Sequence, residues 1–101
     1  MNLERLLASS YRQKILKELS KVKQIHIMGL VRNINGTYIE VNRNLKILEK
    51  EGIISEQRVG RRRVIRLNRE NSKTALLLKA LKLLSTQTKT TESPITTELS
   101  T

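Results

Sequence analysis

The dipeptide Asn35-Gly36, followed at once by Thr37-Tyr38-Ile39-Glu40, constrains this chain more than any other stretch of its 101 residues. Asn and Gly accept the positive backbone angles of a tight turn. Thr37 and Glu40 stand at capping-box spacing. In such a box the Thr37 hydroxyl accepts from the Glu40 N–H, and the Glu40 carboxylate accepts in return from the Thr37 N–H. Val41, Leu45 and Leu48 then recur as i, i+4 and i+7 and form one apolar stripe. Gly52 supplies a natural C-terminal stop, so a helix is expected over 37–51. Upstream of the turn, Met28 to Ile34 reads as a shorter helix burying Leu30 and Ile34. Two short helices joined by a tight turn leave few architectures open.

The flanking segments narrow the choice. Leu3, Leu6 and Leu7 share a helical face, and Ser10 with Gln13 again has capping-box spacing. Ile15, Leu16 and Leu19 follow as a buried stripe, which predicts a helix from Ser10 to Ser20, either separate from the first segment or continuous with it. Lys21 to Ile27 alternates briefly and can pair as a minor strand. Ile53 to Leu67 reads as a β-hairpin, with Ile53, Ile54 and Val59 before the turn, Val64, Ile65 and Leu67 after it, and Gly60-Arg61 at the turn. Asn71-Ser72 opens a last helix over 71–84. Leu77, Leu81 and Leu84 form one of its stripes, and Leu76, Ala80 and Leu83 another. One stripe can pack on the domain; the other needs a further surface, for which a second copy of the chain is expected. Residues 85–101 are rich in Ser and Thr and poor in apolar side chains, and are expected to be a disordered tail. The fold class is thus mainly α with a small β-hairpin, in one domain over residues 1–84.

Lys and Arg number 20 against 9 Asp and Glu, a net charge of +11. The tail holds one Lys and two Glu, so the whole surplus lies in residues 1–84. A compact domain so charged repels itself unless an anion neutralises it. Nucleic acid, an anionic membrane surface and an acidic protein all qualify. The absence of cysteine removes thiolate metal sites, disulfides and thiol nucleophiles together. No apolar run approaches a membrane span, and the N-terminus lacks the apolar stretch of a signal peptide. A cytoplasmic, nucleoid-associated protein is expected. No paired carboxylates, no nucleophile beside a base and no phosphate-cradling glycine loop are present, so neither catalysis, a metal nor a cofactor is expected. His26, between two isoleucines, reads as incidental.

The positive charge is concentrated in two places. Rotating 100° per residue from Val41 places Ile39, Arg43, Lys46 and Lys50 on the face opposite the apolar stripe, with Asn42 flanking them. Arg can grip the edge of guanine, and Asn that of adenine, through two hydrogen bonds, so Arg43 and Asn42 are the candidate base readers. Thr37 and Tyr38 lie near the helix N-terminus, within reach of a base or a phosphate. Lys46 and Lys50 suit phosphates, which position without specifying. The second concentration is the hairpin, where Arg58, Arg61, Arg62, Arg63, Arg66 and Arg69 fall within twelve residues with no acid among them. Three consecutive arginines at a hairpin tip cannot all point one way. Those reaching past the tip can meet a DNA backbone or enter a minor groove. Tyr11 and Tyr38 are the only aromatic residues, too few for a platform that stacks single-stranded bases.

These segments resemble the winged-helix repressors of the ArsR-like and MarR-like groups. The stretch from Ser10 to Leu19 resembles their opening helix. The stretch from Thr37 to Ile54, with its leucine-to-leucine step into Gly52-Ile53-Ile54, is similar to their recognition helix. Gly60-Arg61-Arg62 sits where those proteins turn their wing. The resemblance covers about Ser10 to Leu84. It implies a winged helix-turn-helix with a C-terminal dimerisation helix (Leu76, Leu77, Ala80, Leu81, Leu83, Leu84). It also implies a sequence-specific regulator of transcription that binds double-stranded DNA, a repressor, with the basic wing over 58–66; the surplus leucine of the last helix makes it a homodimer. Metal-sensing members of the ArsR-like group bind through cysteine and histidine, and with no Cys and one His that property does not carry over. The alternatives are an architectural chromatin protein of the same fold and a module whose basic face meets an acidic protein.

Overall fold

Three of the helices begin or end where local chemistry dictates, and a three-stranded sheet closes one side. The structure is a computed structural model and describes residues 3–92, with side chains through Leu84. In chain order the elements are α1 (Leu3–Leu7), α2 (Ser10–Ser20), β1 (Ile25–His26), α3 (Ile27–Asn33), α4 (Tyr38–Lys50), β2 (Ile54–Val59), β3 (Arg62–Leu67) and α5 (Ser72–Glu92).

α1 and α2 are separate helices. Ser9, not Ser10, caps α2, its hydroxyl accepting from the Arg12 N–H at 3.2 Å. Gln13 does not close a box; its side-chain amide donates to the Leu7 carbonyl and ties α2 to the end of α1. Arg12 extends this tie, donating to the carbonyls of Leu6 (2.9 Å) and Arg5 (3.0 Å) and to Asn44 Oδ1 (3.0 Å) on α4. Asn44 in turn donates to the Glu40 carbonyl at 2.8 Å, so its buried amide is satisfied on both sides.

α3 starts one residue earlier than its expected boundary and buries Ile27, Leu30 and Val31; Ile34 lies at its C-terminal cap, only partly buried. Asn35 takes the positive angle of the turn, with φ of 55°. Gly36 is needed for space instead, because a Cβ there would overlap the Tyr11 hydroxyl. That hydroxyl also accepts from the Thr37 N–H at 2.9 Å, the bond expected of the Glu40 carboxylate. Only half of the predicted box forms: the Thr37 hydroxyl accepts from the Glu40 N–H at 3.2 Å. The physical reason is competition: a tyrosine from α2 reaches the orphan donor first and leaves Glu40 facing outward.

Val41, Leu45 and Leu48 of α4 are buried against Ile15, Leu16 and Leu19 of α2, with Leu30, Ile53, Ile65 and Leu77 completing the core. Gly52 ends α4 in the left-handed region at φ 76°, and its carbonyl accepts from the side-chain amides of Asn68 and Asn71. The antiparallel sheet has the order β1-β3-β2. β2 and β3 pair from Ile54↔Leu67 to Val59↔Arg62 across the Gly60-Arg61 turn, and β1 pairs as Ile25↔Ile65 and His26↔Val64.

α5 packs through Leu77 and Leu81, which are buried in the chain's own core and so are not available to a second copy. Leu84, grouped with them by spacing, is exposed together with Leu76 and Leu83, and Ala80 is half-buried at the core edge. The helix backbone continues to Glu92, past the Leu84 boundary read from the sequence. The rest of the expected tail, 93–101, lies outside the described residues. Among the described residues no helix is long and apolar enough to cross a membrane.

Candidate nucleic-acid interface

α4 buries one face and presents the other beside the β2–β3 hairpin. Arg43, Lys46 and Lys50 are exposed as the rotation predicts, and Ile39 is 69% exposed. Arg43 Nη1 is paired with Glu40 Oε2 at 3.0 Å. Both partners are solvent-exposed and three residues apart on a helix, a pairing worth a few tenths of a kcal/mol, roughly 0.3–0.5. It keeps the guanidinium over the helix surface at little cost to a competitor. Thr37 is occupied as the helix cap. Asn42 departs from expectation: it lies half-buried on the hairpin side of α4, with Oδ1 shielded from solvent and without a hydrogen-bond partner.

The hairpin register explains how the three consecutive arginines divide. Arg63 stands directly across from Arg58, a like-charge juxtaposition that opposes pairing. Glu56 lies diagonal to Arg63 on the same face and relieves it. Arg63 Nε and Nη2 donate to the two Glu56 oxygens at 2.5 and 2.8 Å, with only 14% and 17% of the two side chains exposed. The hydrogen bonds from Arg63 hold the Glu56 carboxyl below the usual carboxylate range, outweighing the opposing effect of burial. The same bonds hold the Arg63 guanidinium above its ordinary value. Arg63 Nη1 also donates to Tyr38 Oη at 2.6 Å, and its guanidinium lies 5.8 Å from the centre of the Tyr38 ring.

Arg63 thus ties the hairpin to α4 through Glu56 and Tyr38. Arg58, Arg61 and Arg62 remain exposed, and the side chains of Arg58 and Arg61 have neither hydrogen bond nor ion pair among the described residues. Arg66 and Arg69 are turned away, to Ser55 Oγ at 3.2 Å and the Ser20 carbonyl at 3.4 Å. His26 was passed over in the sequence, yet its Nε2 lies 3.1 Å from Arg62 Nη1. A guanidinium can only donate, so the imidazole accepts. The signal for Glu56 was present in the sequence: two residues before Arg58 is the same face of the same strand.

Among solved structures the fold is shared with AntR, an antimony-specific transcriptional repressor. The match covers 89% of this chain and 77% of that one, with a TM-score of 0.77 and 20% identity. It is shared too with a homodimeric winged helix-turn-helix DNA-binding domain from Mycobacterium bovis, a possible ArsR-family regulator (84% and 76% covered, TM-score 0.69, 19% identity). The transcriptional repressor BigR from Xylella fastidiosa matches over 81% of each chain, with a TM-score of 0.69 and 22% identity.

The fold is a winged helix-turn-helix.

No family model matches the sequence, and no curated protein is similar to it. At identities near 20% the likeness is one of fold. Among the described residues of this winged helix, no three His, Cys, Asp or Glu side chains converge as a metal site.

Proposed function

We propose that this winged helix is a sequence-specific regulator of transcription that binds double-stranded DNA as a homodimer and acts as a repressor. The observation that carries the reading is the placement of Arg58, Arg61 and Arg62, all exposed, on the wing beside the exposed face of α4, with no ion pair formed by any of the three side chains among the described residues. A duplex supplies the missing charge along a line, and a helix standing proud beside such a line fits a major groove. In this reading Arg43 exchanges Glu40 for a guanine edge, Lys46 and Lys50 meet phosphates, and the wing arginines lie on the backbone or in a minor groove. Asn42 contributes only if its amide turns out of the seam with the hairpin, and Thr37 and Tyr38 hold the N-terminus of α4 in place.

The second copy would dock on α5. Leu76 and Leu83, 54% and 58% exposed, lie seven residues apart on one face. Beside Leu83, a groove of about 420 Å³ runs between α5 and α1, lined by Leu7 and Ala80 among others. The solved relative from Mycobacterium bovis is described as homodimeric, which supports the same arrangement here. A two-fold dimer calls for a near-palindromic site with half-sites about one helical turn apart.

One feature favours the architectural alternative: Arg43 is already paired and Asn42 is half-buried, leaving few free groups to read base edges. The two readings share a test of whether the wing touches DNA. Binding of a duplex is measured against salt for the wild-type chain and for Arg61→Ala/Arg62→Ala. The slope of log affinity against log salt should fall by about 0.9 for each lost phosphate contact, or ~1.8 for the pair. An unchanged slope removes the wing from the interface.

A further inference from the structure

The exposed wing arginines do not simply point into solvent. Together with Arg32 of α3, which the sequence reading never singled out, they line one cleft. It has a volume of about 640 Å³ and is lined by α3 and by the wing, with Tyr38 also in its lining. Arg32, Arg58, Arg61 and Arg62 all border it, and no Asp or Glu does. The Arg32 side chain makes no hydrogen bond or ion pair among the described residues. Like charges gathered in a concave site repel one another and focus a positive potential there, an arrangement that only an anion relieves. Arg62 is further held by its bond to His26 at 3.1 Å, a diagonal neighbour on the adjacent strand and the residue capping α3.

We propose that this cleft is a clamp for the sugar–phosphate backbone of one DNA strand, gripped between Arg32 on the helix-turn-helix side and Arg61 and Arg62 on the wing side. The proposal rests on the DNA-binding reading above and adds to it a second wall and a positioning residue. Placement of the cleft selects this occupant. Tyr38 is the first residue of α4, so the cleft opens beside the N-terminal end of the recognition helix. A helix seated in the major groove has a phosphate strand running along each side of it. The strand on this side must pass between wing and α3. His26 does not touch DNA in this scheme; by accepting from Arg62 it holds that guanidinium in the clamp.

The test uses the full chain and a duplex that it binds, in which single phosphates along one strand are replaced one at a time by neutral methylphosphonates. One or two adjacent replacements beside the wing should weaken wild-type binding roughly tenfold, the value of one charge-assisted contact. Arg32→Ala should lose a similar factor on the unmodified duplex and nothing more on the modified one. Arg32→Lys should recover part of the loss. His26→Ala should weaken binding and His26→Gln, which keeps an acceptor, should not. Sites selected from random DNA by Arg32→Ala should match those of the wild type, because phosphate contacts carry no sequence information. Losses that add between Arg32→Ala and every methylphosphonate would overturn the clamp while leaving DNA binding intact. Arg32-dependent binding of inorganic pyrophosphate by the free protein, with no sensitive phosphate in the duplex, would also overturn it and make a small phosphorylated molecule the occupant. A wild-type chain that retains no duplex at low salt would overturn the clamp and the DNA reading together.

Discussion

The two ends of this molecule carry opposite surpluses. Around α3, the start of α4 and the wing, guanidinium groups gather in one cleft without a carboxylate in its lining, and the well-shielded Glu56 is committed to Arg63. Along α5 the surplus is leucine: Leu77 and Leu81 fill the core, and Leu76 and Leu83 are left outside it. A charged surplus asks for a polyanion at any spacing, and affinity for it falls with salt. An apolar surplus asks for a shape and is largely indifferent to salt. In the proposed reading the wing sets how tightly the chain holds DNA in general, while α5 sets how many copies of α4 engage one duplex and at what separation.

The comparison is most easily broken at the leucine end. Leu76→Glu/Leu83→Glu leaves the core residues untouched and places charges on the exposed stripe. It should convert a dimer to a monomer in sedimentation experiments and lower affinity for a two-half-site duplex by roughly 10²–10⁴, the factor lost when the second contact is no longer tethered. Affinity for a single half-site should hardly change. A wild-type chain that already sediments as a monomer at micromolar concentration would remove the palindrome from the account.

A smaller effect sharpens the charged end. Glu56→Ala leaves Arg63 facing Arg58 without its counter-ion and should cost about 1.5–3 kcal/mol of folding stability, the range for hydrogen bonds to charged groups. Because the Glu56 carboxyl is lowered in the folded chain, its contribution is fully present above about pH 4.5 and is lost as acid protonates the native carboxyl below that. Denaturant melts of the wild type and Glu56→Gln should thus differ at pH 7 and converge as the pH falls through the lowered range of the native carboxyl. A difference that persists at low pH would mean that packing, not the ion pair, sets the effect.

Much of this arrangement was legible in the sequence, and the failures share a cause. Local signals held where the residues concerned answer to their own neighbours in the chain. The turn at Asn35, the Thr37 cap, the Val41–Leu45–Leu48 stripe, the stop at Gly52 and the Gly60-Arg61 turn all depend on backbone geometry within a few residues. They failed where a distant side chain competes for the same group. Tyr11 takes the donor assigned to Glu40, and Glu56 engages Arg63, a partner the sequence pattern did not name. The clamp residues Arg32 and His26 were invisible for the same reason, since α3 and the wing meet only in three dimensions. On α5 the spacing offered two equivalent stripes, and only packing against α2 decided that Leu81 goes inside while Leu84 stays out.

Sequence reading by α4 is the central claim, and selection of binding sites from random duplex DNA near physiological salt tests it most directly, with Arg43→Ala run beside the wild type. The account predicts an enriched near-palindrome for the wild type. The variant should lose preference at one position in each half-site, at a cost of roughly 1–3 kcal/mol on the wild-type sequence. Retention of DNA with no enriched motif, or a motif identical in both proteins, would contradict it and leave the wing's charge as the whole of the interaction.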